Sequence, residues 1–269
     1  MSAAPTPEAH VELADVCLDF GGRSVLRGTS CRFPRGAISV ILGGSGAGKT
    51  TILRLIGGLV RPQSGRILVG DADLCRLREH QLYEIRDKLG MMFQGGALLD
   101  SLTVFDNLAF PLREHTDMPD REIAAEVERQ LGSVGLADAG GLLPAQLSGG
   151  MVKRAALARA LVLKPEILLC DEPFSGLDPI SVKKIEALLC RINEDLGVTM
   201  LVSSHHVRST LRMADQIVLL VDGAAVTGSP QGLTSSDDPW IREFLDDGPR
   251  DARIRESGVD ADPERRPIL

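Results

Sequence analysis

Aromatic side chains are scarce in this chain: seven Phe, one Tyr and one Trp make up 3% of its 269 residues. That excludes a tract of stacking platforms of the kind that grips single-stranded nucleic acid. Positive charge is also in deficit, with 30 Lys and Arg against 37 Asp and Glu and a net charge of −7. This is the wrong sign for a protein whose main partner is a phosphate backbone, so no nucleic-acid partner is expected. Long apolar runs are missing as well. The most apolar stretches, such as 38–42 and 217–221, fall far short of the roughly 20 residues a spanning helix needs. Residues 1–10 carry two prolines and a glutamate and no basic segment ahead of an apolar one, so no secretory signal is expected and the protein is read as cytosolic. Five cysteines, at 17, 31, 75, 170 and 190, form no C-x-x-C pair and leave one odd, which predicts reduced core thiols rather than a disulfide framework or a zinc site.

What remains is ordinary globular composition, 43% hydrophobic and 25% charged, at a length that suits one large α/β domain with an inserted lobe. The first forty residues alternate apolar and polar (Val11, Leu13, Val16 to Leu18, Val25, Cys31, Phe33) and break at Gly21-Gly22 and Pro34-Arg35-Gly36. This predicts short strands joined by turns in a small antiparallel sheet. A continuous apolar strand follows at 37–42, then a glycine-rich turn, then Ile52, Leu53, Leu55 and Ile56 at helical spacing. Strand, glycine loop and helix open a parallel α/β core. Residues 65–70 and 89–93 read as strands. From 97 to 163 the pattern is helical, with Ile123, Val127, Leu131 and Val134 on one face, and strands return at 167–170, 198–202 and 217–221. The helical stretch therefore interrupts a sheet rather than following it. Residues 246–269 are rich in acids, arginines and prolines without periodicity, which predicts a solvated tail.

The chemistry is concentrated in a few motifs. Gly43-Gly44-Ser45-Gly46-Ala47-Gly48-Lys49-Thr50 matches the phosphate-binding pattern G-x-x-x-x-G-K-[ST] and sits between a buried strand and a helix, as that loop requires. Backbone N–H groups would converge on phosphate oxygens at a helix N-terminus, Lys49 would reach the β- and γ-phosphates, and the Thr50 hydroxyl would bind Mg²⁺, with Thr51 beside it. At 167–172 a buried strand delivers Asp171 and Glu172 to its C-terminal end, where parallel sheets hold ligands. Asp171 would hold Mg²⁺ through its water shell, and Glu172 would polarise the water attacking the γ-phosphate. Leu147-Ser148-Gly149-Gly150-Met151 opens an amphipathic helix shortly before that strand.

With these motifs in this order, residues 8–245 resemble the ATP-binding cassette (ABC) ATPases, with 97–163 as their inserted helical subdomain. The resemblance implies a P-loop α/β fold and further site residues. Gln94 would be the glutamine that contacts the metal and the attacking water. Ser175 to Asp178 match the D-loop, placing Asp178 near nucleotide, and His205 matches the histidine that bonds the γ-phosphate. Phe20 occupies the place of the aromatic that stacks on adenine; a core residue at a strand end is the competing reading. Ser148, Gly149 and Gly150 would bind the γ-phosphate held by a second copy of the chain, so two complete sites need a homodimer. Three positions depart from the usual family pattern: Gly44 replaces a frequent proline, Met151 a glutamine, and His206 an aspartate.

Within the family, residues 92–98, 104–116, 147–151 and 239–245 resemble the ATPase subunits of Mla systems, which move phospholipids between the inner and outer membranes. That resemblance implies a peripheral position on the cytoplasmic face of the inner membrane. It also implies three kinds of partner: a permease touching the groove near Gln94 and Phe105 to Leu112, a lipid-binding substrate subunit, and a small STAS-domain regulator. The alternatives are an ABC ATPase with another lipid, lipoprotein or nutrient cargo, and a soluble cassette protein without a permease. For the tail, 246–269, the composition favours a solvated segment, and the competing reading is that it crosses to the partner chain and docks there.

Overall fold

The computed structural model describes residues 8–247. The tail, in either its solvated or its dimer-crossing reading, therefore falls, but for its first two residues, outside the described residues. The chain opens with a hairpin of two strands, β1 (Ala9–Phe20) and β2 (Arg23–Pro34), turning at Gly21-Gly22. Short strands were expected here, and two twelve-residue strands are found. The breaks in alternation are bulges rather than strand ends: pairing slips between Leu13 and Val16, where Asp15 takes φ +51° and its N–H is caught by the Ser30 hydroxyl. After β3 (Ile38–Gly43) and α1 (Lys49–Ile56), the chain returns to this sheet through β4 (Ser64–Val69), which pairs antiparallel with β1, and β5 (Ala72–Asp73). The four strands lie in the order β2-β1-β4-β5.

The second sheet has six strands. After α2 (Glu79–Arg86) come β6 (Leu89–Met92), then α3 (Val104–His115), α4 (Asp120–Ser133) and α5 (Gly149–Leu161). The sheet resumes with β7 (Ile167–Asp171), α6 (Pro179–Leu196), β8 (Thr199–Ser204), α7 (Val207–Met213), β9 (Gln216–Val221) and β10 (Ala224–Gly228), and α8 (Pro230–Thr234) and α9 (Pro239–Asp247) end the described chain. The strand order is β10-β9-β3-β8-β7-β6, parallel except for the edge strand β10.

Side-chain alternation splits this sheet between two apolar layers. Val40, Leu42, Leu168, Cys170, Met200 and Val202 face a core shared with the helices α3 to α7, whereas Ile41, Leu169, Leu201 and Val218 face α1 and the antiparallel sheet. With apolar residues on both faces, β3 is buried along its whole length and β9 along 217–220, which is why 38–42 and 217–221 read as apolar runs. Cys31 and Cys170 are buried thiols, pushed up to about 12 by burial, while Cys17, Cys75 and Cys190 are only partly covered, at the margins of the core. All five are free. No helix among the described residues is long and apolar enough to cross a membrane.

Candidate active site

β3 sits between β9 and β8, although the chain runs from β3 through β6, β7 and β8 before reaching β9. α1, which leaves β3, packs on one face of the sheet and α7, which leaves the neighbouring β8, on the other, so the loops at these two strand ends diverge and leave a crevice. A cavity of about 570 Å³ lies there, lined by residues 45–51 of the phosphate loop together with Val25, Gln94, Glu172 and His205. Each of the last three follows the end of a different parallel strand: β6, β7 and β8.

The loop is built for an anion. α3, α5, α6 and α8 are each capped by a hydroxyl or carboxylate, from Thr103, Ser148, Asp178 and Ser229. α1 instead begins after Gly48, with no side-chain cap and no acid in its first turn. Its leading N–H groups and the positive end of its dipole are thus left for a ligand that carries negative charge. Gly48 has φ +102°, and a Cβ there would meet Val25 Cγ1 at 3.0 Å and Leu26 Cδ2 at 3.1 Å, so only glycine lets the hairpin close over the loop. At Gly44, by contrast, an added Cβ meets open space, so the proline common in the family is not displaced by packing.

Lys49 is buried beneath the loop. Its Nζ donates to the carbonyls of Gly43 and Gly44, both at 3.0 Å, and lies 3.4 Å from Glu172 Oε1. An ammonium so placed can follow a phosphate oxygen across the cavity at little cost in reorganisation. Lys49→Ala is expected to weaken ATP binding by about tenfold or more, because a desolvated phosphate charge loses its partner. Titration of the purified chain with ATP checks this, and unchanged affinity contradicts the loop assignment.

Opposite Lys49 stand the two carboxylates. Asp171 is buried, and its Oδ1 accepts from Thr50 Oγ1 at 2.9 Å and from Ser203 Oγ at 2.6 Å. Its Oδ2 accepts from no protein group among the described residues. A hydroxyl and a carboxylate side by side are hard oxygen donors, and Mg²⁺ is held by one or two such groups plus substrate phosphates rather than by a protein cage. The donor set fits that ion, and no cluster of three or more His, Cys, Asp or Glu that could form a closed metal site occurs among the described residues. Glu172 has φ +48°, left-handed for a residue with a side chain. Its N–H is gripped by the Ser203 hydroxyl at 2.9 Å, and its Oε2 accepts from His205 Nδ1 at 2.7 Å. The arrangement can hold a water between a carboxylate that takes its proton and a phosphorus that takes its oxygen. His206 packs beside His205, ring centres 4.5 Å apart, and edge-on to Phe174. Burial, then the neighbouring His205, holds His206 below the usual histidine value, so it adds no positive charge near neutral pH.

The remaining sequence-predicted residues do not line this cavity. Gly43 and Gly44 contribute carbonyls to Lys49 rather than cavity surface. Ser148, Gly149 and Gly150 head α5, where the Ser148 hydroxyl accepts from the Met151 N–H. The two glycines lie against Leu177 and Ser181 at the start of α6. The Asp178 carboxylate is spent within its own chain, accepting from the N–H groups of Ile180 and Ser181 and from the Ser181 hydroxyl. Phe20 is 49% exposed at the end of β1, which rules out its reading as a core residue. Two participants in the site escaped the sequence reading, Val25, which lines the cavity, and Ser203, which holds Asp171 and Glu172. Val25 follows the Gly21-Gly22 turn on β2. Ser203 is the last but one residue of β8, where it stands beside Ser204 at the polar end of an otherwise apolar run and gave no signal of its own.

Comparison with known proteins gives the family and the fold. The family model described as "ABC transporter" matches residues 26–175. The intermembrane phospholipid transport system ATP-binding protein MlaF of Escherichia coli (strain K12) is 44% identical over 243 residues, 89% of this chain and 90% of that one. The probable ribonucleotide transport ATP-binding protein mkl of Mycobacterium leprae is 41% identical over 236 residues, 87% of this chain and 68% of that one. Among solved structures, the dimeric post-hydrolysis state of the ATP-binding cassette MJ0796 bound to ADP and Pi superposes with TM-score 0.76 at 31% identity, covering 82% of this chain and 99% of that one. The cassette cbiO1 of Clostridium perfringens, part of the ABC transporter complex cbiONQ, superposes with TM-score 0.78 at 26% identity, covering 92% and 98%.

Proposed function

Because the chain belongs to the ABC transporter family of ATP-binding proteins, we propose that it is the ATP-hydrolysing subunit of a membrane complex that moves phospholipid between two membranes, acting as a homodimer on the cytoplasmic face. The observation that carries the catalytic part is the convergence of Lys49, the Thr50–Asp171 pair and the Glu172–His205 pair on one cavity. The phosphate-loop amides and Lys49 hold the β- and γ-phosphates. Thr50 and Asp171, with Gln94 on the same cavity, would hold Mg²⁺, which would supply neutralisation of phosphate charge when bound. Glu172 accepts a proton from water as the water oxygen bonds to the γ-phosphorus and the bond to the β-γ bridging oxygen breaks. The products are ADP and inorganic phosphate. His205 holds the Glu172 carboxylate in place from the other side of the cavity.

Phe20 is the candidate adenine platform, since its ring is exposed on the hairpin that carries Val25 to the cavity. Stacking of a base on an aromatic ring contributes about 1–3 kcal/mol, so Phe20→Ala is expected to raise the KM for ATP about tenfold and leave kcat unchanged. A KM equal to that of the wild type removes Phe20 from the site.

The partner surface falls on the helical insert. Leu99 and Phe110 are exposed there, and the segment before α3 is fastened by the buried Asn107. Its side chain accepts from the Leu99 N–H at 2.7 Å and donates to the carbonyls of Leu99, Leu102 and Thr103. An apolar surface on a rigid support suits an integral permease. The phospholipid cargo, the lipid-binding subunit and the STAS-domain regulator rest on the similarity to MlaF, which covers nine-tenths of that protein. Purifying the chain with its co-expressed permease and analysing the bound lipid tests the reading. Stoichiometric phospholipid and lipid-stimulated ATP hydrolysis are expected; a bound nucleotide or nutrient, or no permease at all, would replace it with a different transporter or a soluble cassette.

A further inference from the structure

α5, expected to be amphipathic, is covered on nearly every side, and two of the cations it carries donate into the protein. Arg159, near its end, donates to the carbonyls of Gly96 and Ala97, the latter at 2.7 Å. Lys153, in its first turns, is buried, and its Nζ donates to the carbonyl of Gln94 and, at 3.2 Å, to the carbonyl of Glu172. Gly90 makes room for this contact: a Cβ there would lie 2.2 Å from the Ala160 carbonyl, so α5 can lie directly on β6, the strand that leads to Gln94.

Burying an ammonium among carbonyl acceptors costs several kcal/mol unless charges compensate. Burial pushes the Lys153 ammonium below the usual lysine value, and the carboxylates of Glu172 and Asp171 oppose that shift. The helix core could have been filled by an apolar residue, as at the neighbouring Ala155, Ala156 and Leu157. What Lys153 does that leucine could not is tie together three segments distant in sequence. These are the helix headed by Ser148, the loop of Gln94, and the peptide of Glu172, whose left-handed φ of +48° is held on the N–H side by Ser203.

We propose that Lys153 is a positioning residue: it clamps the Glu172 peptide from the carbonyl side and makes the catalytic carboxylate move as one unit with the Gln94 loop and the helix that docks on the partner's nucleotide. The inference rests on the reading of Glu172 as the base. When α5 is pulled toward the γ-phosphate held by the other protomer, the Lys153 bridge carries that displacement to Glu172 and Gln94. Hydrolysis is thereby tied to closure of the dimer. ATP binding, which uses the phosphate loop, does not depend on the bridge.

Lys153→Met keeps an unbranched side chain of nearly the same bulk, one atom shorter, and removes both hydrogen bonds. Its kcat should fall about ten- to a hundredfold, as expected when a reacting group is displaced by a fraction of an ångström to an ångström. The KM for ATP and ATP-dependent dimerisation should stay at wild-type values. Lys153→Arg should recover part of the loss. Lys153→Gln, one atom shorter and able to reach one carbonyl, should fall between, and it serves as the test if the Met variant does not fold. Glu172→Gln is measured in parallel, and adding Lys153→Met to it should lower the residual rate little further. A folded Met or Gln variant with wild-type kcat overturns the inference, as does a double mutant whose losses multiply. If Glu172→Gln itself turns over normally, it is the assignment of the base that fails.

Discussion

A Glu172→Gln chain should bind ATP with undiminished affinity and accumulate as an ATP-bound dimer while hydrolysing about two to four orders of magnitude more slowly. The substitution is nearly isosteric. The left-handed backbone at 172 and its bond to Ser203 are unaffected, and the phosphate loop is untouched. What changes is one atom with two neighbours: Oε2 or Oε1 becomes an amide nitrogen, which can neither take a proton from water nor accept from His205 Nδ1. Lys49, 3.4 Å from Oε1, also loses a counter-charge. That frees it for phosphate, so binding should not weaken. A loss confined to kcat marks an interaction made in the transition state. Single-turnover hydrolysis, read beside equilibrium binding of ATP, separates the two quantities. Near-normal turnover in this variant would remove Glu172 from the mechanism.

Much of the site could be read from the sequence because its chemistry is written in contiguous residues at strand ends. The loop at 43–50 and the pair Asp171-Glu172 each follow a run that is apolar on both faces, and such runs belong to central parallel strands. What could not be read depends on tertiary contacts between distant residues. Ser203 meets Asp171 across thirty-two positions and Lys153 meets Gln94 across fifty-nine; neither leaves a periodic trace. Asp178 looks like a ligand in a motif and is occupied as a helix cap. The same limit applies to the fold. α2 buries only Leu82 and so has no apolar stripe to detect, β10 is largely exposed, and the bulge at Asp15 imitates a strand end. β4 reads as a strand in either setting; that it joins the antiparallel sheet rather than the parallel one is decided by pairing with β1.

A mixed dimer should retain a substantial fraction of wild-type ATPase activity, about half if the two sites fire independently, when one chain carries Ser148→Arg and the other Lys49→Ala. Each homodimer of these variants should be inactive. Ser148, Gly149 and Gly150 do not line the cavity of their own chain, where Lys49, Glu172 and His205 converge. Ser148 caps α5 with a single bond to the Met151 N–H, Gly149 and Gly150 open the helix, and its first turn holds no acid, so the end keeps N–H groups and a positive dipole for an anion from the partner. If that end completes the partner's site, the two lesions of the mixed dimer fall on the same composite site. The other site then joins an intact Lys49 to an intact Ser148. If the signature served its own chain, every site would carry one lesion and activity would vanish. Ser148→Arg also removes the hydroxyl that accepts from the Met151 N–H, a cap worth about 1 kcal/mol, so thermal unfolding of each variant is measured first. Differently tagged chains, purified through both tags and assayed with saturating ATP, give the result. A mixed dimer with the wild-type KM for ATP establishes the shared site, and activity no higher than that of the two homodimers refutes it.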